Sequence, residues 1–257
     1  MTDKPYKVLM LCGENRFSSI MYNGLARHFD IVCVILEDRV PRKKILNRRI
    51  KKLGLLKVVG QLLFLLTNKL LLKITKNRIR LLIADYGLDE KEIPKQITKK
   101  VKNVNSDDTV DLLHRINPDV VVVNGTRIIS KKILSSTKAP FINTHMGITL
   151  KYRGVHGGYW ALANGDSNNF GVTVHLIDPG IDTGGVLYQN YIKVLKSDNF
   201  NTYPIHQIAH AIPIMKDALD DVKENRISIK KGILPSRLWS HPTIFEYVRA
   251  WISKGVL

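Results

Sequence analysis

Acidic residues are missing from one long stretch of this 257-residue chain. Positions 40–80 hold thirteen Lys and Arg and not a single Asp or Glu. The formal net charge of the whole chain is +18, so this stretch carries most of the surplus. The strong positive charge is therefore a property of one segment, and it does not indicate a uniformly basic protein.

Cysteine is equally scarce, and its two copies exclude a disulfide-rich scaffold. Cys12 and Cys33 both sit in apolar runs typical of strands, which predicts buried, reduced thiols. No secretory leader is recognisable, so we expect a cytoplasmic protein. No Gly-x-Gly-x-x-Gly follows the first apolar run, which argues against a dinucleotide cofactor.

Apolar runs and helical periodicity alternate along the chain in the order typical of βαβ units. An α/β fold with a Rossmann-like, open and mostly parallel sheet is therefore expected. The pattern predicts strands at 6–12, 31–36, 119–123, 140–143, 170–177 and 187–194. It predicts helices at 18–29, capped by Ser18 and Ser19, and at 107–116, 130–135, 156–164, 203–222 and 243–253.

Two short stretches carry groups that can do chemistry. Asn143 and His145 are two residues apart at the end of a predicted parallel strand, so both side chains point to one face where open α/β sheets bind ligands. Asp182 lies in a Gly/Pro-rich loop that a ligand can approach closely. An amide, an imidazole and a carboxylate together can stabilise an oxyanion, move a proton and set the pKa of the imidazole.

The ordered motifs resemble those of the 10-formyltetrahydrofolate-dependent formyltransferase family. The resemblance is close over 119–195 and looser over 7–36, and it rests on four stretches: Asn-Thr-His at 143–145, Leu-Lys-Tyr-Arg-Gly at 150–154, Gly-Val-Thr-Val-His at 171–175 and Gly-Ile-Asp-Thr-Gly at 180–184. It implies a formyltransferase-type fold with a catalytic domain at 1–225, a basic helical insertion at 41–80 and a C-terminal extension at 226–257.

Carried over residue by residue, the resemblance implies that Asn143, His145 and Asp182 are catalytic and that 10-formyltetrahydrofolate is the formyl donor. It also places the folate pocket on two loops, whose residues are Thr126, Arg127, Ile128 and Ile129 in the first, and Ile177, Asp178, Gly180 and Ile181 in the second. No metal site is expected.

Residues outside these loops are candidates for holding the acceptor. Arg16 and the predicted helix start at Ser18 could hold a phosphate, and an ordinary helix cap beside a solvated arginine explains them equally well. Arg153 and His156 follow the catalytic strand and are candidate acceptor contacts, or parts of a glycine-rich turn. His175 lies on a predicted strand, and the resemblance favours a place in the site.

The basic segment permits three interpretations: packing on the domain or on a second copy in a homodimer, contact with a membrane surface, and binding of nucleic acid, which we rank last. Its longest charge-free stretch, 58–68, is eleven residues, whereas a membrane span takes roughly 20. A transmembrane helix is therefore not expected. Peripheral attachment at the inner membrane surface stays open.

Taken together, the sequence predicts transfer of a formyl group to a small-molecule primary amine, with an amino sugar on a nucleotide as the preferred acceptor. Glycinamide ribonucleotide is the second choice. Hydrolysis of the same folate and a non-catalytic membrane-surface protein on this fold are the competing interpretations.

Overall fold

The computed structural model describes residues 6–257. Nine strands and eight α-helices are found there, along with single 3-10 turns at Lys95–Ile97 and Ser167–Asn169. The strands are β1 (Val8–Gly13), β2 (Ile31–Glu37), β3 (Thr98–Val101), β4 (Val120–Asn124), β5 (Phe141–His145), β6 (Tyr152–Gly154), β7 (Gly171–Leu176), β8 (Val186–Tyr191) and β9 (Arg237–Trp239). The helices are α1 (Arg16–Leu25), α2 (Arg42–Leu53), α3 (Leu55–Asp85), α4 (Asp107–Ile116), α5 (Lys131–Leu134), α6 (Gly157–Ala163), α7 (Tyr203–Lys223) and α8 (Ile244–Lys254).

Seven strands form the central sheet in the order β3-β2-β1-β4-β5-β7-β8. The first five strands in this order, β3, β2, β1, β4 and β5, run parallel to one another. The pairs β5–β7 and β7–β8 are antiparallel. The predicted open, mostly parallel α/β sheet is thereby confirmed. A second, two-stranded sheet pairs β6 with β9, so residues 226–257 are joined to the body of the domain.

The sheet is buried on both faces, which explains why its central strands are almost entirely apolar. On β1, Val8, Met10 and Cys12 pack on one side, and Leu9 and Leu11 pack on the other. Cys12 and Cys33 are buried free thiols, and burial raises the pKa of Cys12 to about 12. The cysteine is therefore a neutral part of the core.

The start of α1 differs from the prediction. The helix begins at Arg16, because the side chain of Asn15 accepts hydrogen bonds from the backbone N–H groups of Phe17 and Ser18. The expected cap at Ser18 and Ser19 is wrong: the Ser18 hydroxyl is buried and donates to the carbonyl of Gly13 at 2.7 Å. Asn15 is as good a capping residue as serine, and it comes first along the chain.

The basic segment folds into two helices separated by Gly54, whose φ of +84° falls in the region that favours glycine. α3 continues for 31 residues, well beyond the charge-free stretch, so the length argument against a membrane span does not hold. Among the described residues, length and composition alone make α3 a candidate span, with a mean hydropathy of 1.6 in its most apolar window and 22% of that window buried.

One face of α3 is fastened to the domain along most of its length. Phe64 is fully buried, with its ring 4.8 Å from Phe200 and 5.0 Å from Tyr247 of α8. Asn68 and Asn201 exchange two side-chain hydrogen bonds, and Arg78 pairs with the buried Asp198 at 3.3 Å. The helix therefore lies along the domain surface.

Candidate functional site

The candidate site begins with a pair of residues on neighbouring strands. Asn143 of β5 lies directly opposite His175 of β7 in the antiparallel register, and the Asn143 Nδ2 is 3.2 Å from the His175 Nε2. His145 follows two residues along β5, so it shares a face with Asn143. The strand pairing therefore brings three polar side chains to the same edge of the sheet.

The fourth group, Asp182, is supplied by the loop between β7 and β8. Its φ of +51° is the left-handed conformation, which aspartate tolerates better than most residues. The loop is compact, because the Asp178 carboxylate accepts from the Gly180 N–H and from the Thr183 hydroxyl. A Cβ at Gly184 would meet the Leu176 carbonyl oxygen at 1.7 Å, so this position requires glycine.

The Asp182 carboxylate lies between the two histidines. Its Oδ2 is 3.4 Å from the His145 Nδ1, and its Oδ1 is 3.7 Å from the His175 Nε2. The backbone N–H of Gly154 donates to the same carboxylate at 2.8 Å. Arg153, the preceding residue of β6, supports the loop by donating to the Ile181 carbonyl at 3.0 Å.

Hydrogen bonds fix the proton on each imidazole. The His145 Nε2 is 2.6 Å from the Tyr152 carbonyl, which can only accept, so this nitrogen carries a proton. The His175 Nδ1 lies 2.7 Å from the Leu176 carbonyl and is protonated for the same reason. The His175 Nε2 is thereby left to accept from Asn143, whose second amide proton stays available to a ligand.

The charges follow from burial and from these contacts. Burial alone would raise the pKa of Asp182, but His145, His175 and the Gly154 N–H together lower it to about 2. Burial lowers the pKa of His145, against the opposing pull of Asp182 and of the Tyr152 carbonyl. At neutral pH the site therefore combines an ionised carboxylate with a neutral imidazole whose Nδ1 faces it.

These residues open onto a cavity of about 1080 Å³. Asn143, His145, His175 and Asp182 line it. All residues of the two predicted folate loops line it as well, namely Thr126, Arg127, Ile128, Ile129, Ile177, Asp178, Gly180 and Ile181. The structure thus brings the predicted catalytic and folate-binding positions to one space.

The cavity has the chemistry that a pteridine needs. Ile128 is 47% exposed and offers an apolar surface to a flat ring. Asn124, at the end of β4, is buried and its amide nitrogen has no hydrogen-bond partner within residues 6–257, which leaves a donor for a ligand. The loop is held in place because Arg127 pairs with the buried Glu37 at 2.7 Å and its backbone N–H donates to the same carboxylate.

Part of the cavity lining, which we call the basic wall, is strongly cationic. Four cationic residues of α2 and one of α3 line the cavity, namely Lys44, Arg48, Arg49, Lys52 and Lys57. None of these five has an acidic partner in the part of the chain that the structure describes. The composition of 40–80 signalled the charge, but its position in the cavity lining depends on tertiary packing that the sequence did not reveal.

Two further histidines line the cavity and feel the charge of Arg49. The His156 Nε2 is 2.9 Å from the His241 Nδ1, and both residues line the cavity. Burial, the neighbouring imidazole and Arg49 lower the pKa of His156 to about 3, and burial with Arg49 lowers that of His241 to about 4. Both rings are therefore neutral, and His241 brings the C-terminal segment into the site.

The remaining candidates lie outside the cavity. Arg16 forms an ion pair with Glu90 at 2.6 Å, and the Ser18 hydroxyl is bonded inside the domain, so neither is placed to hold a substrate phosphate. Arg153 donates a hydrogen bond to the Asp182 loop and does not line the cavity. Asn15 and Phe17, the sequence neighbours of Arg16 and Ser18, do line the cavity.

Comparisons with known proteins agree on one family. The sequence profile of the Formyl transferase family matches residues 70–211. Methionyl-tRNA formyltransferase of Finegoldia magna is 42% identical over 94 residues, which is 36% of this chain and 30% of that protein. The chain spans less than half the length of the first curated relatives it matches.

Solved structures show the same fold. A sugar N-formyltransferase from Shewanella sp FDAARGOS_354 superposes with a TM-score of 0.57 at 16% identity, covering 95% of this chain and 86% of that one. HypX from Aquifex aeolicus in complex with tetrahydrofolic acid gives 0.55 at 15% identity, covering 92% of this chain and 29% of that one. Identities this low establish the architecture alone.

Proposed function

Since the chain belongs to the formyl transferase family, as its motifs indicated, we propose that it transfers a formyl group from 10-formyltetrahydrofolate to the primary amine of a phosphate-bearing acceptor. An amino sugar linked to a nucleotide is the acceptor that we propose first. The observation that carries this choice is the set of five cations without acidic partners that line the same cavity as Asn143, His145 and Asp182.

The reaction exchanges one C–N bond for another. The acceptor amine attacks the formyl carbon, the bond between that carbon and the folate nitrogen breaks, and tetrahydrofolate leaves. Negative charge develops on the formyl oxygen during attack, and the free amide proton of Asn143 is the group that stabilises it. Because Asn143 is held by His175, its amide needs no reorganisation when the charge appears.

One proton must move from the amine to the departing folate nitrogen. The Nδ1 of the neutral His145 carries no proton, since its Nε2 donates to the Tyr152 carbonyl, and this Nδ1 lies 3.4 Å from the Asp182 carboxylate. In this proposal Nδ1 takes the proton of the amine and returns it to the folate nitrogen. The ionised Asp182 stabilises the imidazolium that forms between these two steps.

The basic wall suits an acceptor that carries several negative charges. Arg and Lys side chains bind phosphate oxygens through charge-assisted hydrogen bonds, each worth about 1.5–3 kcal/mol. A nucleotide-linked sugar brings two phosphates, whereas the sheet edge supplies the carboxylates Asp178 and Asp182. The phosphates therefore belong on the α2 side, and the amine belongs near His145.

The decisive experiment supplies the protein and 10-formyltetrahydrofolate with a panel of amines and follows the release of tetrahydrofolate. We expect release only when an amine is present, and fastest with a nucleotide-linked amino sugar. Equal release without any amine would instead indicate a hydrolase. Glycinamide ribonucleotide and methionyl-tRNA belong in the panel, the latter because curated relatives carry that name.

The role of the basic wall is tested by the double substitution Arg48→Gln and Lys52→Gln. Loss of two phosphate contacts predicts a rise of about tenfold or more in the KM of the acceptor, with little change in kcat. The matched control is Lys73→Gln with Lys76→Gln on α3, which removes the same charge away from the cavity.

A rise in the KM of the folate, with the acceptor KM unchanged, would contradict the acceptor assignment. It would show that the wall binds the carboxylates at the glutamate end of the donor. The first experiment, on amine dependence, is unaffected by this outcome.

A further inference from the structure

The side of α3 that faces away from the domain is apolar. Leu56 is 89% exposed, Ile74 is 79% exposed and Leu70 is 64% exposed, and Val59, Leu63 and Leu66 are exposed as well. At 100° per residue these six positions fall within a sector of about 80°. We refer to them as the outer face of α3. Six large apolar side chains on one stripe exceed the scattered exposure that is ordinary for a soluble protein.

The neighbouring helix α8 has the same character. It packs against α3 through Tyr247, whose ring lies 5.0 Å from Phe64, and through Thr243, which contacts Gly60. It exposes Phe245 and Ile252 to 77% and 79%, and Trp251 to about half. Exposed apolar side chains are therefore concentrated on two helices that pack together.

Cations accompany the apolar stripe. Lys69, Lys73, Lys76 and Arg80 occupy the adjoining sector of α3, between the outer face and the domain. None of the four has an acidic partner within residues 6–257. An apolar stripe bordered by Lys and Arg, with no acidic residue between positions 40 and 80, is the pattern of a helix that lies in the interface of an anionic membrane.

The charge also decides between the occupants that could cover this face. A second copy of the chain would bring its own four cations of this sector against these four, with no acidic residue at 40–80 on either copy to offset the repulsion. An anionic lipid surface attracts each cation, and its acyl region buries the leucine side chains of the outer face. Nucleic acid would satisfy the cations but would leave the apolar stripe in water.

The contacts of α3 with the domain determine how the helix can be oriented relative to a membrane. Its inner side is bonded at three points that are far apart along a helix of about 46 Å: Gln61 to the His241 carbonyl, Asn68 to Asn201, and Arg78 to Asp198. Crossing a bilayer would break all three contacts. Lying flat breaks none of them and submerges only the outer face.

We propose that the outer face of α3, together with the exposed side of α8, docks the protein in the plane of an anionic lipid bilayer. The proposal rests on residues that do not line the catalytic cavity, so it stands apart from the proposed reaction. Docking puts the α2 wall of the cavity close to the lipid headgroups, because α2 and α3 are joined by a single glycine.

The test is flotation of the full chain with vesicles. We expect it to float with vesicles of phosphatidylcholine and phosphatidylglycerol and to stay unbound with phosphatidylcholine alone. The triple variant Leu56→Gln, Leu63→Gln, Leu70→Gln should lose at least tenfold in vesicle binding, as should Lys69→Gln, Lys73→Gln, Lys76→Gln. The matched control is Leu234→Gln, which changes an equally exposed leucine outside these helices and should bind as the wild type does.

Fluorescence supplies a second, independent measurement. Trp251 lies on the exposed side of α8, so its emission should shift to shorter wavelength on binding, and Trp251→Phe should abolish the shift. Vesicle binding that is equal for all variants, or absent for the wild type, would overturn the proposal. A stable lipid-free dimer that the leucine variant disperses, without vesicle binding, would assign the face to a second copy instead.

Discussion

The sheet edge around β5 and the basic segment of α2 and α3 differ in how many of their polar and charged groups have partners. At the sheet edge nearly every polar atom is committed: His145 to Tyr152 and Asp182, His175 to Leu176 and Asn143, Asp182 to Gly154. In α2 the cations have no acidic partners among the described residues, and none of its residues is buried. The sheet edge is therefore preorganised, whereas the cations of α2 are available to bind an anionic ligand.

This difference in partnering indicates that the sheet edge determines the reaction rate and that the basic segment determines affinity for anions. Fixed hydrogen bonds place a few groups within reach of one reacting carbon, where small displacements cost large factors in rate. Unpaired cations on exposed helices contribute affinity for an anion and tolerate imprecise placement. We therefore expect substitutions at the sheet edge to change kcat, and substitutions in the basic segment to change KM and surface binding.

The largest expected effect is at the sheet edge. His145→Ala should lower kcat by about 10²–10⁴, since it removes the group that we propose carries the proton. Asp182→Asn should act in the same direction, because the amide can still accept from Gly154 but cannot stabilise an imidazolium. Tetrahydrofolate release at saturating substrates measures both.

The matched control for the second variant is Asp221→Asn. This carboxylate bonds Tyr188 and Arg226 and does not line the cavity, so its loss should leave kcat unchanged. If Asp182→Asn retained wild-type kcat, the carboxylate would have no part in the reaction, and the division between the two regions would fail.

Two adjacent residues of α3, one buried and one on the outer face, give the second comparison. Phe64→Ala should destabilise the protein by about 3–5 kcal/mol, because it empties a fully enclosed site between Phe200 and Tyr247. Leu63→Ala should change stability by no more than about 0.5 kcal/mol, since Leu63 is 45% exposed. Urea unfolding measures both, and equal costs would show that α3 does not pack on the domain in this register.

The buried histidine His156, which lines the cavity near Arg49, predicts a smaller effect on the pH dependence of stability. Unfolded, His156 binds a proton below about pH 6.5, whereas the folded chain holds it neutral down to a pKa of about 3. The unfolded state therefore gains protons first as the pH falls, and the resulting loss of stability is about 1–2 kcal/mol between pH 7 and pH 5.

His156→Asn is the variant for this test, because asparagine tolerates the left-handed φ of +59° at this position. Its free energy of unfolding should fall less between pH 7 and pH 5 than that of the wild type. An identical fall in the two proteins would mean that His156 titrates normally in the folded state.

Much of the fold could be predicted from the sequence, because the buried parallel strands are unbroken apolar runs. Val120–Asn124 and Asp107–Ile116 lie within one residue of the predicted bounds. β3 was missed, because Thr98–Val101 is short and carries two lysines on an edge strand. The length argument against a membrane span failed because Lys69 and Lys73 interrupt the apolar run without interrupting α3.

The site was predictable where it depends on local spacing. Asn143 and His145 share a face because strand residues alternate, and His175 could be found from the same alternation on β7. The basic wall, His241 and the buried Glu37 behind Arg127 could not be found, since each depends on segments that are distant in sequence. Ser18 was assigned a capping role that Asn15 takes three residues earlier.

Amine-dependent release of tetrahydrofolate tests the central claim most directly. The account predicts that the protein converts 10-formyltetrahydrofolate only when a primary amine is present, that the formyl group is recovered on that amine, and that His145→Ala abolishes most of the transfer. Release at the same rate without amine, or no release with any phosphate-bearing amine, would contradict it.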